Sequence, residues 1–205
     1  MTTETEQALV PGRTCGTCNV CCIALTIDEP ALRKPQGFRC RNAQSDNSCA
    51  IYETRPDTCR TFFCGFRQLR WVRDTLRPDV SGVLIKQHGE IARATGQRRM
   101  GIAVTLLNGD ALKAEGLAET VAAAVAADIP VFLNVPGPPG YTSAEARMNE
   151  VLADAVHRRD KSEILKLLRI ARSKGRSGKR DPIRFEQREA RSDPSGGTTV
   201  SPEDR

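Results

Sequence analysis

Four cysteines stand within eight positions in "CGTCNVCC", at Cys15, Cys18, Cys21 and Cys22, and four more follow at Cys40, Cys49, Cys59 and Cys64. The full spacing is C-x2-C-x2-C-C-x17-C-x8-C-x9-C-x4-C, and all eight fall between residues 15 and 64. A C-x2-C turn lets two thiolates converge on one ion. Zinc takes four such ligands at about 2.3 Å, and iron–sulfur clusters use the same thiolate ligands. A soft, all-sulfur set disfavours magnesium or calcium. His88 and His157 are the only histidines, so an imidazole-rich centre is excluded by count.

Adjacent Cys21 and Cys22 pose a geometric problem. Neighbouring side chains point apart, so both closing on one tetrahedral ion is awkward. A second centre, a bridging thiolate or one structural cysteine would each relieve it. Eight thiols suit two four-coordinate sites, or one site with spare sulfurs. Cys15, Cys18 and one of the adjacent pair are expected to begin the first site, completed from the Cys40 to Cys64 set. Disulfides or metal-free thiol redox chemistry are the competing readings. They are disfavoured because a disulfide framework would spread over the chain and because cytosolic thiols are kept reduced.

The order and context of these residues resemble the YkgJ-type cysteine-cluster family, described as zinc- or iron-chelating domains with a CxxCxxCC signature. "CGTCNVCC" and "CAIYETRPDTCRTFFC" carry the resemblance, which covers residues 13–80. It implies chelation of zinc or iron by Cys15, Cys18, Cys21, Cys22, Cys40, Cys49 and Cys59, with Cys64 at the variable end of the pattern. It implies no defined reaction.

Other residues near the cluster have two readings each. Arg55 and Arg60 could offset thiolate charge and lower thiol pKa values, or form ordinary ion pairs with Glu53 or Asp57. Asp28 and Glu29 could supply an oxygen ligand, or simply make a turn before Pro30. Phosphate-binding glycine loops, nucleophile elbows and the radical-SAM C-x3-C-x2-C do not occur, and no catalytic residue is assigned.

The elements that must position the cluster follow from periodicity. The expected fold is α+β: a loop-rich cysteine-cluster domain at 13–78, packed on a small α/β region at 79–172 of about three strands and two or three helices. In the first, "CCIALTI" reads as a short strand or a helix start, and "RPDTCRTFFCGFRQLRWVRD" as a turn leading into a helix. Strands are predicted at 81–87, 98–107 and 129–136, and a helix at 115–128 with Leu117, Val121 and Val125 on one face. Two further helices are predicted after capping boxes at Thr142/Glu145 and Asp160/Glu163. "PGPPG" is a stiff connection.

From 173 to 205 the chain is rich in Gly, Ser, Pro and charge and reads as a disordered basic tail. Residues 169–191 hold nine Lys/Arg against three acidic residues, equal to the net +6 of the whole chain. Such a segment could meet an acidic protein or nucleic acid through phosphate contacts, or be simply solvated. The first residues carry no basic n-region and apolar h-region, and no run of about 18 apolar residues suggests a membrane span. The expected setting is the cytoplasm, without a membrane partner. Three functions are consistent with these features: a zinc- or iron-binding protein (mononuclear or iron–sulfur), an iron–sulfur or thiol redox enzyme component, and a zinc-dependent nucleic-acid-binding protein.

Overall fold

The computed structural model describes residues 9–91 and 96–185. Its C-terminal part is built on a four-stranded sheet. Strand β3 (Val83–Ile91) pairs antiparallel with β4 (Arg98–Leu106), β4 pairs parallel with β5 (Val131–Val135), and β5 pairs antiparallel with β6 (Ala144–Arg147). The parallel step between β4 and β5 requires a crossover, and the chain makes it through a 3-10 turn at Asp110–Lys113 and helix α5 (Leu117–Ala126). Helices α6 (Asn149–His157) and α7 (Lys161–Ser177) follow. Alternation in the strands sends Val83 and Ile85 to the same buried cluster as Val104, Leu117, Leu152 and Ile164. The other sheet face mixes buried Leu84, Ala103 and Phe132 with polar groups: His88 lies 3.4 Å from Glu145 and packs tilted against Phe132, and Arg147 lies 3.4 Å from Glu90.

The Asp160 cap forms as expected, its carboxylate accepting the Glu163 N–H at 2.9 Å. Thr142/Glu145 is not a helix start. Residues 144–147 are β6, the fourth strand of a sheet expected to have about three. The helix begins at Asn149, whose side chain accepts from Val131 N and donates to Ile129 O, both at 2.8 Å. Asn149 thus extends the hydrogen bonding of β5, and the chain between Thr142 and the helix is drawn into the sheet.

Before the sheet, residues 9–82 form a layer of short elements: α1 (Cys21–Ala24), the two-stranded ribbon β1 (Ile27–Glu29) and β2 (Leu32–Lys34), α2 (Asp57–Thr61), α3 (Gly65–Gln68), a 3-10 turn at Asp74–Leu76 and α4 (Pro78–Ser81). "CCIALTI" therefore holds both a helical turn and a strand. The single helix expected from "RPDTCRTFFCGFRQLRWVRD" is two. The break at Phe62–Cys64 lets Gly65 press against β3, where any Cβ would approach Ile85 Cγ2 to 2.7 Å. Leu69, Val72 and Leu76 then pack into or against the main core, so the layer is anchored to the α/β body through side chains that precede residue 79.

The segment from 173 to 183, expected to begin a disordered tail, is structured. Helix α7 runs to Ser177, Tyr141 and Pro182 form an antiparallel bridge, and Ile183 N donates to Gly140 O at 2.8 Å. Residues 186–205 lie outside the described residues. The "PGPPG" connection is a docking point: Gly140 N donates to Gln36 O at 2.9 Å, and Gln36 also reaches Tyr141 O and the Ser143 hydroxyl. Among the described residues no helix is long and apolar enough to cross a membrane.

Candidate metal centre

The C-x2-C turn closes as its spacing demands. Cys18 N donates to Cys15 O at 2.9 Å, and Gly16 supplies a positive φ of 52° that side-chain-bearing residues disfavour. The turn is fastened to the rest of the layer by two arginines that sequence reasoning missed. Arg77 spans from the Thr17 hydroxyl to the Asp79 carboxylate. Arg13 donates to the carbonyls of Phe66, Leu69 and Val72 and to Asp74, with its guanidinium over the Phe66 ring. Val10 N also bonds Arg67 O at 2.8 Å. These bonds draw the segment leading to Cys15 toward α3, whose N-cap residue is Cys64.

The thiols act on one another. The hydrogen bond with Cys22 is the largest cause pushing the Cys21 thiol up in pKa, burial follows, and the charges of Cys22, Cys15 and Cys18 add to the push. Burial likewise raises Cys64, opposed by the N–H groups of Arg67 and Phe66, with Cys15 close enough to act on it. Burial raises Cys18 too, and the Asp79 carboxylate adds to that effect. Cys59 is raised by burial and then by Cys22, Cys40, Glu29 and Cys49. Cys40 is buried in a small apolar cluster with Ile27 and Leu32, and Cys22 and Cys59 pack against it. Its N–H bonds Cys22 O at 2.9 Å, and Cys49 joins through an isolated bridge to Ala43.

Cys22 is the one thiol held well below the ordinary range, at about 6. The hydrogen bond from Cys21 is the largest cause, followed by the cations Lys34, Arg39 and Arg55. Arg55 therefore has the charge-offsetting role that its position suggested, fixed by a bond to Tyr52 O and by stacking 3.7 Å from that ring. Arg60 has the ordinary one, paired with Asp57 at 2.7 Å. Glu29 accepts from Thr58 N at 2.6 Å, and Asp28 pairs with Arg33 across the ribbon at 3.3 Å.

Lys34 is the most consequential residue that the spacing did not suggest. It is only 5% exposed, and its Nζ donates to four carbonyls, those of Ile23, Leu25, Pro35 and Phe38, at 2.6–3.1 Å. Burial lowers its pKa, while the thiols of Cys40, Cys22, Cys21 and Cys59 act the other way. One signal was available: on a strand of period two, Lys34 shares the inward face of Leu32.

All eight cysteines are free thiols. Among the described residues, no group of three or more His, Cys, Asp or Glu side chains stands in a ready metal-ligating arrangement. The donor type is the one that zinc and iron thiolate centres use: of the eight thiols Cys40 is buried, Cys15 is exposed and six are half-buried, and the cations Lys34, Arg39 and Arg55 act on Cys22. Away from the cysteines, Arg169, Arg172, Ser173, Arg176 and Ser177 line a shallow groove of about 550 Å³ on α7. The positive charge expected of a tail thus begins on a helix face.

No protein-family model, no curated protein and no solved structure matches the chain. The resemblance to the YkgJ-type cluster proteins rests on the cysteine spacing and its neighbouring residues.

Proposed function

We propose that this is a cytoplasmic protein that binds zinc or iron through the thiolates of its N-terminal layer, with the α/β body as a platform. The observation that carries this reading is a set of eight free thiols within fifty residues, four of which, Cys40, Cys22, Cys21 and Cys59, act on the buried Lys34. Cys15, Cys18, Cys21, Cys22, Cys40, Cys49, Cys59 and Cys64 are the residues that would hold the metal. What the metal supplies is cross-linking free energy to a layer with little apolar core of its own. Protein purified anaerobically is expected to contain zinc or iron by elemental analysis, and Cys15→Ser with Cys18→Ser to lower that content. Metal-free native protein with eight titratable thiols would refute the reading.

A second reading, an iron–sulfur or thiol redox component, is favoured by the contact between the Cys21 thiol and a Cys22 sulfur held at about 6. A visible charge-transfer band reversibly bleached by reductant would support it. A colourless zinc protein from iron-replete, anaerobic cells, with no thiol redox couple, would remove it.

A further inference from the structure

The basic residues of α7 divide into two sets. Near its start, Lys161 pairs with Glu119 at 2.7 Å and Lys166 with Glu163 at 3.0 Å. Farther along, Arg169, Arg172 and Arg176 line the shallow groove together with Ser173 and Ser177. Among the described residues no ion pair or side-chain hydrogen bond engages these three arginines, and Arg172 Nε is buried without a partner. From Arg169 to Arg184 the chain carries seven Lys/Arg and one acidic residue, Asp181. We propose that this flank of α7 is a docking surface for the phosphate backbone of duplex DNA, bound without regard to base sequence and independently of the cysteine layer.

Packing sets the flank in place. Ile164 and Leu168 are buried, and Gly175 lies so near β5 that a Cβ would approach Val135 Cγ2 to 2.8 Å. These positions hold one face of α7 against the body. Residues 169, 172, 173, 176 and 177, at i, i+3, i+4, i+7 and i+8, then share another face, and the arginines climb the helix in steps of about 4.5 and 6 Å. Cations in a last turn answer the helix dipole, but that turn holds Lys174 and Arg176, so the dipole does not account for Arg169 and Arg172. Guanidinium forks match phosphate oxygens, and serine hydroxyls add donors. The groove has no aromatic lining for the base stacking that a single strand would use, and no apolar anchor of the kind that dominates protein interfaces. Duplex RNA is recognised largely through its 2′-hydroxyls, and a guanidinium gives that hydroxyl's proton no acceptor. Attraction by charge alone remains, and it suits a DNA duplex with one charge per about 1.7 Å and condensed counterions to release.

The test is fluorescence anisotropy of a labelled DNA duplex titrated with the reduced full chain at several salt concentrations. Wild-type affinity should fall with salt on a log–log slope at least as steep as about −2.7, the counterion release of three neutralised phosphates. Arg169→Gln, Arg172→Gln and Arg176→Gln together should remove that part of the slope and weaken binding at low salt by at least about tenfold. The corresponding triple change to lysine keeps the charge and should keep the slope. Lys161→Gln with Lys166→Gln removes cations that are already paired and should leave the slope unchanged. Glutamine and lysine are both good helix formers, and circular dichroism checks that α7 stays folded in every variant. Binding should persist in the presence of a metal chelator, so this proposal and the metal-binding reading succeed or fail separately. Absence of binding at low salt, or an unchanged slope in the triple glutamine variant, would overturn the proposal. So would tighter binding to duplex RNA or to an acidic peptide, or loss of binding on chelation with the helix intact.

Discussion

The α/β body and the cysteine layer are ordered by different forces. In the body, strands and helices enclose a continuous cluster of Val, Leu, Ile and Ala side chains, and Leu117, Val121 and Leu152 are wholly inaccessible to water. In the layer, the separate apolar cluster consists of Ile27, Leu32 and Cys40, with two of its three packing neighbours also cysteines. Its longest helix has five residues. Hydrogen bonds from long cationic side chains to loop carbonyls replace the missing core: Lys34 binds four, and Arg13 three. On the metal-binding reading proposed above, thiolate ligation would add cross-links to a region this poor in apolar burial.

The contrast can be broken from either side. The largest effect is expected in the body, where Leu152→Ala should cost about 2–5 kcal/mol through lost burial and a residual cavity, measured as a lower denaturant midpoint for the whole chain. A change confined to the layer would mean that the body's core is not the dominant source of stability. Next, stripping metal with a chelator should raise amide exchange in residues 14–64 roughly 100-fold, the response to about 2.7 kcal/mol of lost binding stabilisation. Exchange in β3, β4 and β5 should not change, and equal acceleration in both regions would erase the distinction.

Lys34→Met tests the hydrogen-bonded scaffold itself. The methionine keeps the apolar stem but removes the shared donor of the Leu25, Pro35 and Phe38 carbonyls and one of the two donors of Ile23 O, which still accepts from Gly37 N, at a cost of about 1–3 kcal/mol. Proteolysis within residues 21–40 should accelerate while the thermal transition of the body stays in place. The smallest effect belongs to a surface pair of the body, Lys161 with Glu119 at 2.7 Å. Lys161 holds the Glu119 carboxyl below its ordinary value of 4.5. The pair's contribution is therefore complete above pH 4.5 and lost as pH falls through the depressed folded-state value. Lys161→Ala should lower stability by about 0.2–1 kcal/mol at pH 7, with the difference from wild type vanishing in strongly acidic denaturant melts.

The legibility of the fold follows the same division. Strands β3, β4 and β5 and helices α5 and α7 were readable because an amphipathic period reports burial on one face, which is how the body is held together. β6 was not readable: its exposed Ala-Glu-Ala-Arg carries no strand pattern, and the Thr142/Glu145 spacing imitates a cap. The layer offered no period, so its elements were seen only as turns and a helix of the wrong length. Nor did the boundary expected at residue 79 reveal that Val72 and Leu76 enter the body's core.

At the candidate site, the sequence by itself determined the donor chemistry: eight thiols in fifty residues, too few histidines for any other soft centre, and a C-x2-C turn with glycine where its φ requires one. Only the tertiary structure decided which cysteine-bearing segments meet. Cys64 lies 49 residues from Cys15, and Cys40 lies 18 from Cys22. Bringing them together depends on Arg13 binding α3 and on Cys40 bonding back to Cys22. The same holds for Lys34, whose partners are carbonyls that any residue carries. Local spacing encodes which donor groups exist, and long-range hydrogen bonds decide which of their segments meet.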